Sequence, residues 1–150
     1  MKLCALLLAS TCLNAEFLSI EQKFGAMDCA SCATFVENKL ARNRGVESVK
    51  IDAAAGVLTV KLKSGNSVRY SQVRDFVQQS GYKPEAATVV VRGVVSKTES
   101  GWTLEISGSK ETLSVEGKLR DSAGKEVELA GVIERAAGKT VDTLSVASVR

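Results

Sequence analysis

The feature that most constrains the fold is a change of hydrophobic period, repeated twice between Phe17 and Ala87. Phe17, Ser19 and Glu21 alternate with Leu18, Ile20 and Gln22, and Phe24 continues the even set. Period two reads as a strand. From Ser31, the residues Ala33, Val36, Glu37 and Leu40 fall near one helical face, bordered by Phe35, and Asn43-Arg44-Gly45 stops that helix. Val46, Val49 and Ile51, a turn over Asp52–Gly56, and then Leu58, Val60 and Leu62 predict a β-hairpin. Ser71 is a candidate cap for a second helix carrying Val73, Phe76, Val77 and Ser80, ended by Gly81, and a last strand starts near Tyr82 or after Pro84. Strand, helix, strand, strand, helix, strand is the order of the split βαβ, ferredoxin-like arrangement.

The loop after the first strand holds the main chemical content of the chain, Met27-Asp28-Cys29-Ala30-Ser31-Cys32. There is no histidine, and no glycine-rich phosphate loop or cluster of acid, base and nucleophile stands out, so a non-enzymatic role is expected. Cys32 is expected at the start of the first helix, where backbone N–H groups and the helix dipole favour a thiolate, and Cys29 in the preceding loop. Two thiolates on a surface loop suit thiophilic, low-coordinate ions such as Cu(I) or Hg(II). Asp28 could add an oxygen for Zn(II), which takes four ligands and accepts carboxylate; alternatively it is solvated, or steadies the helix start.

Residues 17–83 resemble the heavy-metal-associated domain of copper chaperones, metal-pumping ATPases and the small periplasmic mercury-binding protein. The resemblance is carried by Met27, Cys29 and Cys32, by Ala33, Val36 and Leu40 in the helix, by Gly45-Val46 with Val49, and by Gly81-Tyr82. It implies a ferredoxin-like fold, one metal ion on Cys29 and Cys32, Met27 packed inward without ligating, and Tyr82 close to the metal loop. An acid at position 28 is similar to the zinc, cadmium and lead pumps and also occurs in domains of the copper type. Cu(I) is favoured over Zn(II), Cd(II) and Hg(II), since two sulfurs satisfy it. The family usually has Gly before Met, where this chain has Ala26; the expected effect is on loop mobility, not on binding. Two rival uses of the chain are thiol–disulfide exchange by the same Cys pair and a structural adaptor with a degenerate metal site. Against exchange, Ala30-Ser31 lie between the cysteines where thioredoxin-type enzymes often have Gly-Pro.

The chain opens with Lys2 and then Leu3-Cys4-Ala5-Leu6-Leu7-Leu8-Ala9, followed by small and polar residues to Ala15. A positive start and a short apolar core describe a secretory signal peptide over 1–15, too short to span a bilayer. A cut after Ala15 would make Glu16 the first residue. Cys12 as a lipid-bearing residue fits poorly, with Thr11 before it and Ala9 where leucine is usual. Export to a periplasm or outside the cell is expected, with no stable membrane insertion after the signal is removed. Cys4 and Cys12 leave with the leader, so Cys29 and Cys32 remain. A disulfide between them closes a tiny loop and stabilises little, which makes chemistry the better reason for the pair.

After Ala87 the pattern shifts to short strands: Val89–Val95, Trp102–Ile106, Leu113–Val115, Val127–Ile133 and a stretch from Lys139 to Val149. Five strands with a break after the third predict a small all-β barrel over 88–150, OB-like, with an SH3-like barrel as the alternative. Gly93, Gly108 and Gly131 mark candidate bulges or corners. The expected fold class is therefore α+β, with a ferredoxin-like domain over 16–87 followed by the barrel. The formal charge of the whole chain is +3. From Thr88 onward acids and bases are equal in number, and Trp102 is the sole aromatic. A neutral unit with one aromatic argues against nucleic acid. The expected partners are the metal ion and a metal-transporting membrane protein, with the second unit orienting or docking the first.

Overall fold

The computed structural model describes residues 14–25, 29–119, 121–135 and 141–150. Most of the expected leader, together with Met27, Asp28 and Lys139, lies outside the described residues.

The first half runs β1 (Glu16–Phe24), α1 (Ala30–Ala41), β2 (Val46–Asp52), β3 (Val57–Leu62), α2 (Tyr70–Gln79) and β4 (Pro84–Thr98). Its strands pair antiparallel in the order β2-β3-β1-β4. Helix α1 packs on β2, α2 packs on β1 and β4, and the helices touch each other. This is the expected ferredoxin-like order. Val36 and Leu40 of α1 and Val73 and Val77 of α2 are buried against Ile20, Leu58 and Val60. The hairpin turn forms as its sequence dictates: Asp52 Oδ1 accepts from the Ala55 N–H at 2.9 Å, and Gly56 takes the left-handed φ of +64°.

Two local expectations are corrected. Along β1 the even set holds for Ile20, Gln22 and Phe24, which are buried, but Phe17 and Glu16 are buried as well. The β1–β4 register shifts between Phe17 and Ser19, and a bulge there changes which side chains face inward. The cap of α2 is Arg69, not Ser71. The Ser71 hydroxyl instead donates to Glu111 Oε1 at 2.7 Å.

β4 is the longest strand and serves both halves. It pairs with β1 from Pro84 to Arg92 and with β5 (Gly101–Ile106) from Val94 to Thr98. Along Ala87–Val94 it also pairs with β7 (Glu126–Glu134). The run Pro84–Ala87 is thus strand, continuous with the first strand of the second half. β6 (Glu111–Glu116) joins β5 antiparallel and β8 (Thr143–Val149) in parallel, and β8 returns to β7. The pairings therefore pass around a ring, β4-β5-β6-β8-β7-β4, continuous with the strands of the first half. The architecture is α+β with a mostly sheet C-terminal part, in place of the separate small barrel expected from strand count: its strands are continuous with the sheet of the first half. Val91, Leu104, Ile106, Leu129, Ile133 and Leu144 fill its core, and Trp102 packs partly buried against it. Two of the three marked glycines sit where strands crowd. A Cβ on Gly93 would lie 2.6 Å from the Glu105 carbonyl, and the β7–β8 register shifts at Gly131.

Candidate metal centre

Cys29 is the N-cap of α1, in an extended conformation (φ −124°, ψ 102°). Its carbonyl accepts from the N–H groups of Cys32 at 3.1 Å and Ala33 at 3.3 Å. Its sulfur accepts from the Cys32 N–H at 3.3 Å and lies 3.1 Å from the Ser31 hydroxyl. The sulfur therefore occupies the position that a Ser or Asp oxygen usually fills at a helix start. Cys32 falls in the first turn, where it packs partly buried against the core alongside Ala33. No acid occupies that first turn.

The spacing places the two cysteines with Cα atoms 5.3 Å apart, and their sulfurs are joined to each other as a disulfide. A bond that closes so small a loop stabilises little; the structure contains it nonetheless. The loop geometry explains it, because an N-cap residue and the residue three positions on share one turn of helix. In this oxidised form the sulfurs have no charge to offer a metal. Adding two electrons and two protons frees two thiols at the same place.

At the end of β1, the Phe24 and Tyr82 rings pack at 5.8 Å between centroids, tilted by 56°. Tyr82 thus packs against the last residue of β1. Asp28 and Met27 lie outside the described residues. Among the described residues, no group of three or more His, Cys, Asp or Glu converges on a point that could hold a metal. Phe35, on the outer side of α1, is 56 % exposed and carries the Lys39 ammonium 5.6 Å from its ring centroid.

The second helix starts within two residues of the cap expected at Ser71, but the side chain that covers its start comes from outside the local sequence. The Glu111 carboxylate, from β6, accepts from the N–H groups of Tyr70 (2.9 Å) and Ser71 (3.2 Å) and from the Ser71 hydroxyl. Nearby, Asp142 receives the guanidinium groups of Arg74 at 3.0 Å and Arg135 at 2.9 Å. The ring of Tyr70 is buried among these groups. Burial first, and then the Asp142 charge, push its phenol up to about 12. For Arg74, burial pulls the pKa down, but the hydrogen bond to Asp75 and the charges of Asp142 and Asp75 outweigh it and the net shift is upward. Nothing in the local sequence around Tyr70 signals a carboxylate forty residues away.

No curated protein sequence matches the chain closely enough to count as a relative. Among solved structures, one described under crosstalk between Cu(I) and Zn(II) homeostasis is 27 % identical, with 44 % of this chain and 93 % of that one covered and a TM-score of 0.38. A copper-binding domain from HMA7, a P-type ATPase, is 20 % identical over 47 % of this chain and 90 % of its own, with a TM-score of 0.38. The N-terminal domain of a potential copper-translocating P-type ATPase from Bacillus subtilis, in its Cu(I)-loaded state, is 26 % identical over 47 % and 84 %, with a TM-score of 0.38. The family model of the heavy-metal-associated domain matches residues 24–83, from the end of β1 to the residue before β4.

Proposed function

We propose that the protein binds one soft metal ion through Cys29 and Cys32 once their disulfide is reduced, and passes it on without itself being an enzyme. The observation that carries this reading is the pairing of the two sulfurs at the start of α1 inside the heavy-metal-associated segment. Reduction yields two thiols, and binding a metal releases their protons. The Cys32 N–H and the Ser31 hydroxyl are aimed at the Cys29 sulfur, and hydrogen bonds of this kind favour thiolate. Cu(I) fits two sulfurs without a third donor; Zn(II) or Cd(II) would call on Asp28 or a partner's residue. Hg(II) shares the preference of Cu(I). Since the ion is cargo, an incoming thiolate from a metal-transporting membrane protein could enter before the first pair leaves. The leader-like start supports export. No helix among the described residues is long and apolar enough to cross a membrane. We read the second half as an OB-like unit that orients the first, a reading supported by the ring order and by the parallel contact of β6 with β8.

Native mass spectrometry of the reduced protein, offered Cu(I) and Zn(II) together, tests this. One copper per chain, lost in Cys29→Ser/Cys32→Ser, is the expected result. Zinc retained in preference, and weakened by Asp28→Ala, would move the reading to the zinc and cadmium branch. Metal bound equally by the double variant would end it. The disulfide itself favours a second reading, thiol–disulfide exchange. That reading requires reductase or isomerase turnover by the metal-free protein.

A further inference from the structure

The start of the described chain is tied into the fold more firmly than a leader remnant would be. Ala15 is only 2 % exposed, and its carbonyl accepts from the Gly108 N–H at 2.8 Å. Gly108 follows β5 in the second half. A Cβ there would lie 2.6 Å from the Ala15 oxygen and 3.0 Å from the Asn66 carbonyl, so the two backbones touch directly. Glu16 is 1 % exposed. Its carboxylate accepts from the Asn66 N–H at 3.0 Å and Nδ2 at 3.3 Å, and the same Nδ2 donates to the Phe17 carbonyl at 2.9 Å and the Lys63 carbonyl at 2.7 Å. Residues 15–17 thus join the turn after β3 to the turn after β5.

A cut after Ala15 would remove the acceptor of the Gly108 N–H and put a charged ammonium donor on Glu16 in its vicinity. A buried N–H without a partner is costly. The sequence agrees. Signal cleavage wants small residues at the last position and two before it. Ala15 has Leu13 two before it, whereas Cys12 has Ser10 there. We propose that the leader is removed between Cys12 and Leu13, so that the mature chain begins at Leu13 and keeps Ala15 as the tie between its two halves. The proposal rests on the export reading. It also leaves Cys29 and Cys32 as the only cysteines of the mature chain.

The test is to express the whole chain in a Gram-negative bacterium and determine the intact mass and N-terminal sequence of the periplasmic product. A start at Leu13 is expected. An exported product that starts at Glu16, or at a lipid-bearing Cys12, overturns the proposal while leaving export standing. A product that keeps Met1 and stays in the cytoplasm overturns the export reading and the cut with it. In parallel, chains beginning at Leu13 and at Glu16 are melted side by side. The shorter one should unfold about 5 °C lower, the shift expected from losing one buried hydrogen bond in a domain of this size. Equal melting temperatures would overturn the role given to Ala15.

Discussion

The two helices begin in contrasting ways. At α1 the cap is a sulfur from the next residue back, half-buried and joined to a second sulfur in the first turn. At α2 the exposed N–H groups are met by a carboxylate from a distant strand, with a serine hydroxyl added. Both ends present the same partial positive charge. The second spends it on holding the two halves together, while the first leaves it beside atoms that can change ligand. The same helix physics therefore serves a joint in one place and a candidate exchange site in the other.

The comparison breaks most severely if the sulfurs are removed. Cys29→Ser/Cys32→Ser should lose metal affinity by several orders of magnitude while unfolding within about 1 kcal/mol of the reduced parent, because Ser is itself a good cap. Metal titration and urea unfolding on one preparation check both halves of that statement. Glu111→Ala should do the reverse. It strands three donors at the start of α2, lowers stability by about 2–3 kcal/mol, and leaves the metal stoichiometry intact; a variant as stable as the parent would show the joint to be ornamental.

Tyr70 sharpens the picture through pH. Its folded pKa of about 12 lies above the ordinary value of 10. The stabilisation is therefore whole below pH 10, falls as pH rises and the unfolded phenol ionises first, and is gone above pH 12. The total is about 3 kcal/mol, and Tyr70→Phe should flatten that part of the stability profile. Denaturant unfolding of both proteins at pH 9 and pH 11 measures the difference. The smallest effect belongs to Arg135→Ala. Its side chain is 45 % exposed, and Asp142 keeps Arg74, so a loss under about 1 kcal/mol is expected by the same assay.

Much of the first half was legible because it is written in local signals. The period changes located β1, α1, the hairpin and α2, and they put Cys29 in the loop before the first helix with Cys32 at its start; the structure makes Cys29 the cap of that helix. Where the local signal failed, a distant partner had intervened. Phe17 turned inward because β1 shifts register against β4, and Ser71 gave up the capping role because Glu111 reaches it.

The sequence by itself determined which segments of the first half become helix or strand, and that Cys29 and Cys32 stand close together at the start of α1, since both depend on spacing within a few residues. Only the tertiary structure decided that β4 belongs to both halves, that β6 meets β8 in parallel, and that Glu111 covers the start of α2. A period of two tells a strand which face to bury. It does not say which backbone will take its free N–H and carbonyl groups, and that choice is settled by closure across the whole chain.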